Sequence, residues 1–112
     1  MEISIAQKGK VTVVTLNGAI DAADVNTVRD VLSAQVKGGQ SRLVADVGGV
    51  VYVSSAGLRT LVQILKDTTR KGGDFRLANA SARVVKALDI TGLTSLFKVF
   101  PDVNAAVASF DA

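Results

Sequence analysis

The chain has 112 residues, 48% of them hydrophobic, and 13 Lys and Arg set against 10 Asp and Glu give a formal net charge of +3. That is length enough for one domain with its own core, spanning residues 1–112, and no apolar run approaches the length needed to cross a bilayer. Cysteine and histidine are both absent, which excludes disulfides, thiol catalysis and zinc–thiolate sites, and removes the commonest general base and metal ligand.

The opening Met1-Glu2-Ile3-Ser4-Ile5 has no basic stretch leading into an apolar one, so no secretory leader is expected. Ile3-Ser4-Ile5 and the β-branched run Val11 to Leu16 read as two strands, with Gly9 at the turn between them and Asn17-Gly18 closing the second. Asp24 is the expected N-cap of a helix reaching about Lys37, because Val25, Val28, Leu32 and Val36 form one apolar stripe before Gly38-Gly39 stops it. Leu43–Val47 and Val50–Val53 read as two short apolar stretches around Gly48-Gly49, which is read as a turn.

After Val53 come Ser54, Ser55, Ala56 and Gly57, and then helical spacing at Leu58, Leu61, Val62 and Leu65 up to Gly72-Gly73, whose glycines fit a C-cap. Phe75–Leu77 reads as a strand, Ala82–Leu88 as a helix with Val84, Val85 and Leu88 inward, and Leu96–Phe100 as a last strand broken by Pro101. Asp102 then caps a final helix bearing Val103, Ala106, Val107 and Phe110. The order β-β-α-β-α-β-α-β-α predicts an α/β fold with a mixed sheet of about five strands and helices mainly on one face.

The charge excess lies wholly in residues 58–112, with eight Lys and Arg against five acids. Arg59, Lys66, Arg70, Lys71, Arg76, Arg83 and Lys86 could attract an anionic partner, but Asp67, Asp74 and Asp89 are interleaved and stacking aromatics are scarce. A solvated face of two helices is the better reading, and no nucleic-acid partner is expected.

Enzyme chemistry fares badly. A Ser-His-Asp triad lacks its base, and neither Ser54 nor Ser55 sits in Gly-x-Ser-x-Gly. Gly48-Gly49 and Gly72-Gly73 match no phosphate-loop pattern, and Asp21 with Asp46 is too sparse a pair to predict a metal site. No cofactor, metal or catalytic residue is expected. What stands out is a pair of hydroxyls at a helix start, where free N–H groups and the macrodipole favour negative charge. One serine is the cap; with Ser55 in that role, Leu58 falls at the third helical position and no Glu or Gln completes a capping box. A phosphate on such a serine is well accommodated.

The segment Asp-Val-Gly-Gly-Val-Val-Tyr-Val-Ser-Ser-Ala-Gly-Leu-Arg-Thr-Leu, Asp46 to Leu61, closely resembles the signature of STAS-domain anti-sigma factor antagonists. Leu16-Asn17-Gly18-Ala19-Ile20-Asp21 resembles that family's segment after the second strand, and Ala87–Leu93 with Leu96-Phe97 resembles its third conserved stretch. The resemblance implies a bacterial, cytoplasmic partner-switching protein without membrane insertion. Unphosphorylated, it would bind an anti-sigma factor that is also a GHKL-type serine kinase; phosphorylation would end the complex, and a PP2C-type phosphatase would restore it. Aligned on Gly57, the acceptor falls on Ser55, with Ser54, where many members carry aspartate, as second candidate. The implied partner-binding residues are Asp21, Ala23, Asp24, Ser54, Ala56, Gly57 and Arg59, with Asp21 a neighbour of Ser55, Arg59 exposed and Leu58 in the core. The alternative is a phosphorylation-independent STAS subunit of a lipid-transport or other multiprotein complex, which needs no hydroxyl at this position.

Overall fold

Gly9, at φ +63°, turns the chain between β1 (Glu2–Lys8) and β2 (Val11–Ile20), which pair antiparallel in the computed structural model, where residues 1–111 are described. The chain then alternates α1 (Val25–Lys37), β3 (Arg42–Val53), α2 (Ser55–Arg70), β4 (Asp74–Ala78), α3 (Ala82–Ile90), β5 (Val99–Phe100) and α4 (Val103–Ala108), followed by a 3₁₀ turn at Ser109–Asp111. The five strands lie in the order β1-β2-β3-β4-β5, with β2 to β5 mutually parallel, so the sheet is mixed as its element order predicts.

Adjacent residues on a strand point to opposite faces. Val14, Leu16, Leu43, Ala45, Phe75 and Leu77 therefore meet Val28, Leu32, Leu61, Ile64, Val84 and Leu88 of α1, α2 and α3 in the large core. Their strand neighbours Val13, Val44 and Ala78, with Val11, pack on Ala106 of α4 beneath the sheet. The apolar stripe of α1 is buried at Val25, Val28, Leu32 and Val36, the four positions its periodicity picks out.

The sheet departs from the sequence reading in three places. β2 does not close at Asn17-Gly18 but runs on to Ile20, with Gly18 at φ +119° inside it. Gly48-Gly49 is not a turn, because β3 is continuous through it. Thr15 pairs Asp46 and Asn17 pairs Gly49, so β3 carries one extra residue there; Gly18 pairs Val50 and Ala19 pairs Tyr52, which inserts another. The two bulges shift the phase of β3, so that Val47, Val50 and Val53 all enter the main core despite a spacing of three. The third departure is β5, which is only Val99–Phe100; Leu96 is exposed in a turn in which its N–H donates to Leu93 O.

Arg76 belongs to β4 rather than to a solvated helix face. Its side chain is only 12% exposed, with Nε 2.9 Å from Asp74 Oδ2. Nη1 donates to Ser109 Oγ at 2.6 Å, and the guanidinium lies 4.0 Å from the Phe110 ring centroid.

Candidate functional site

β3 is the middle strand, and its C-terminal end delivers the two serines to the start of α2. The first contact that fixes them is long-range: Ser54 N–H donates to Ile20 O at 2.8 Å, tying the end of β3 to the end of β2. Ser54 is extended at φ −74° and ψ 166°, and its Oγ accepts from Gly57 N at 3.0 Å. Ser54 is therefore the N-cap, which settles which of the two serines fills that role: Gly57, not Leu58, is the third helical residue.

Ser55 is the first residue of α2 and is exposed, and its hydroxyl enters no hydrogen bond among the described residues. The backbone N–H groups of Ser55 and Ala56 are likewise free of protein partners, because Leu58 N is the first to reach a carbonyl of the chain, Ser54 O at 2.9 Å. A free hydroxyl and two backbone N–H groups without a protein partner among the described residues thus sit together at the positive end of a 16-residue helix.

Gly57 is buried beneath this turn. A Cβ there would lie 2.8 Å from Ile20 Cγ2, 3.0 Å from Val53 Cγ1 and 3.2 Å from Ile20 O. Only a glycine lets the first turn of α2 sit so close to the ends of β2 and β3. Gly57 shapes the face from below and does not lie on it. Leu58 is 5% exposed and in the core, whereas Arg59 is exposed, as expected of each.

The turn after β2 adjoins the serines through the Ile20–Ser54 bond. Asp21 Oδ1 accepts from Ala23 N at 3.0 Å and Asp24 N at 3.1 Å, and Asp21 O accepts from Asp24 N and Val25 N. The carboxylate that organises the entry to α1 is therefore Asp21; Asp24 occupies the N-cap position without a side-chain bond, correcting its expected capping role. Asp24 has a helical backbone, φ −98° and ψ −12°, rather than the extended one from which a cap side chain reaches the first free N–H groups, and Asp21 closes the turn on its own backbone instead. Ala23 is exposed and Asp24 and Ala56 are half-buried, on the two turns that the Ile20–Ser54 bond joins. No hydrogen bond links Asp21 to Ser55 among the described residues.

Asp46 does not pair with Asp21. Its Oδ1 accepts from Gly48 N at 3.0 Å and from Asn79 Nδ2 at 3.1 Å, pinning the first bulge of β3 to the end of β4. Among the described residues there is no cluster of three or more acids that could hold a metal ion.

The class that this fold and site define is a small α/β domain with a mixed sheet and an exposed serine at the start of the helix that follows its middle strand. Residues 2–106 match the STAS domain family model. BtrV of Bordetella bronchiseptica, named for anti-sigma factor antagonism, is 30% identical over 98% of this chain and 95% of its own length. The anti-sigma-B factor antagonist of Bacillus subtilis is 26% identical over 88% of this chain and 90% of its own length. Among solved structures, the Bacillus anti-sigma factor antagonist SpoIIAA superposes with a TM-score of 0.85 unphosphorylated, at 16% identity over 98% of this chain and 96% of that one. Its phosphorylated form gives 0.77, at 16% identity over 97% and 99%. The chain belongs to the STAS-domain family of anti-sigma factor antagonists.

Proposed function

We propose that this domain is the phosphorylatable switch of a bacterial partner-switching pathway. Unphosphorylated, it binds an anti-sigma factor through the first turn of α2 and the β2–α1 turn; the same partner, a GHKL-type serine kinase, then phosphorylates Ser55 and releases it, and a PP2C-type phosphatase resets it in the cytoplasm. The domain itself acts as substrate and ligand, not as an enzyme. The observation that carries this reading is the free, exposed Ser55 hydroxyl, spared from capping because Ser54 supplies that bond. SpoIIAA, known in phosphorylated and unphosphorylated forms, has the same fold, which supports a phosphorylation switch on this scaffold.

Phosphate adds about −1.5 to −2 charges at neutral pH. At Ser55 the free N–H groups of Ser55 and Ala56 and the helix dipole accommodate it, so the domain stays folded. Within an interface the same group brings bulk, a desolvation penalty and repulsion. A loss of about 3–4 kcal/mol weakens binding several hundred-fold.

Incubation with the source organism's anti-sigma factor kinases and ATP, followed by peptide mass spectrometry, tests the assignment. The expected product carries one phosphate on Ser55, and Ser55→Ala accepts none while keeping kinase affinity. Phosphate on Ser54, or none with any kinase, would contradict it, and the second outcome returns the phosphorylation-independent alternative.

A further inference from the structure

The second bulge of β3 has an effect beyond the serines. In a regular strand Val51 and Tyr52 would point to opposite faces, one of them inward. Because Val51 is the inserted residue between the Val50–Gly18 and Tyr52–Ala19 pairs, both are pushed outward, 57% and 55% exposed. Opposite them on α3 stands Ile90, 74% exposed. Between strand end and helix lies a groove of about 250 Å³, lined by Val51, Tyr52, Val53, Ala87 and Ile90 and bordered by Arg83 and Lys86. No described carboxylate lies within ion-pair distance of either cation. The one acid of α3, Asp89, is engaged by the Thr94 hydroxyl.

We propose that this groove is a second docking strip for the anti-sigma factor partner, seating an amphipathic segment whose aliphatic side chains pack on Val51, Tyr52 and Ile90 and whose carboxylates meet Arg83 and Lys86. The inference rests on the partner-switching reading and adds to it a surface separate from the phosphorylated turn. Two uncompensated cations on the rim of an apolar cleft call for an acidic occupant. A second copy of this chain would bring the same cations and repel. The cleft is concave, which suits inserted side chains better than a lipid surface. Val53 lines the floor of the groove and immediately precedes the capping serine, so the groove and the start of α2 are neighbours along β3.

Two sets of variants test it by calorimetry against the kinase that phosphorylates this chain: Ile90→Asp, and Arg83→Glu combined with Lys86→Glu. All three positions are exposed, so the fold is expected to persist, and Tyr52→Ala provides a further variant at a different wall. Each set is expected to weaken kinase binding about tenfold or more, and the double charge reversal is expected to flatten the salt dependence of affinity. Binding within twofold of wild type for Ile90→Asp and for the charge reversal, while Ser55→Asp binds weakly, would overturn the strip and leave the switch standing. Loss of binding to phosphatidylglycerol vesicles with kinase affinity unchanged would overturn it in favour of a membrane. A wild-type chain that binds no anti-sigma factor kinase would remove both the switch and the strip.

Discussion

Ser54 and Ser55 are consecutive hydroxyls with opposite fates. Their roles separate only because Ser54 N–H is held by Ile20 O, which fixes where β3 stops and α2 begins. Nothing local distinguishes Ser-Ser before Ala-Gly-Leu, so the sequence favours a cap at this point without saying which serine it is. The same limit applies at α1, where the sequence points to Asp24 as the cap and the structure gives the side-chain bonds to Asp21. Removing the cap with Ser54→Ala is expected to lower unfolding free energy by about 1 kcal/mol, read by urea titration, while leaving Ser55 phosphorylatable. Ser55→Ala, whose hydroxyl has no partner, is expected to be stability-neutral in the same titration. Gly57→Ala gains helix propensity of about 1 kcal/mol, but its Cβ meets Ile20 and Val53 at 2.8 and 3.0 Å. The net expectation is a destabilisation of about 1–3 kcal/mol; a stabilised variant would contradict the close approach.

Elements with one long apolar period were legible from sequence, and elements shaped by their neighbours were not. The four-residue stripe of α1 is self-contained, and the Asp102 cap of α4 is confirmed by its bond from Ala105 N at 2.7 Å. β3 misleads because its inward residues Val47, Val50 and Val53 match neither a period of two nor a helix until the two bulges against β2 are known. Arg76 misleads because its neighbours in sequence suggest solvent, whereas the 3₁₀ turn that ends α4 brings Ser109 and Phe110 onto it from more than thirty residues downstream. α4 has six residues and cannot hold itself as an isolated helix. Arg76→Ala removes the bond to Ser109 and the contact with Phe110 and leaves Asp74 only Lys98, at 3.9 Å, as an ion-pair partner among the described residues; it is expected to cost about 1–2 kcal/mol. Hydrogen exchange should quicken first in residues 103–108; protection unchanged there would show that α4 is held by Ala106 and its apolar neighbours alone.

At the scale of the molecule, the sheet's parallel strands converge at one end, where the β2–α1 turn, the start of α2 and the groove by α3 lie side by side. The rest of the domain is a scaffold: the core of α1, α2 and α3 fixes one face and α4 seals the other. Such a scaffold predicts a switch that works without refolding. Amide spectra of the Ser55-phosphorylated chain are expected to change around residues 21–25 and 54–60 and little elsewhere; shifts spread through β1, β4 and α4 would point to a global rearrangement instead. The family was legible from Asp46 to Leu61 and from Leu16 to Asp21, and the structure shows that the two segments are neighbours: the bulged β3 with the start of α2, and the end of β2 with which it pairs.

The most direct measurement is the affinity of one anti-sigma factor kinase for the unphosphorylated chain and for the same chain carrying one phosphate on Ser55, compared by calorimetry at one salt concentration. The expected result is tight binding by the first and binding weaker by about a hundred-fold or more by the second, with both folded by circular dichroism. Equal affinity for the two forms would contradict the switch.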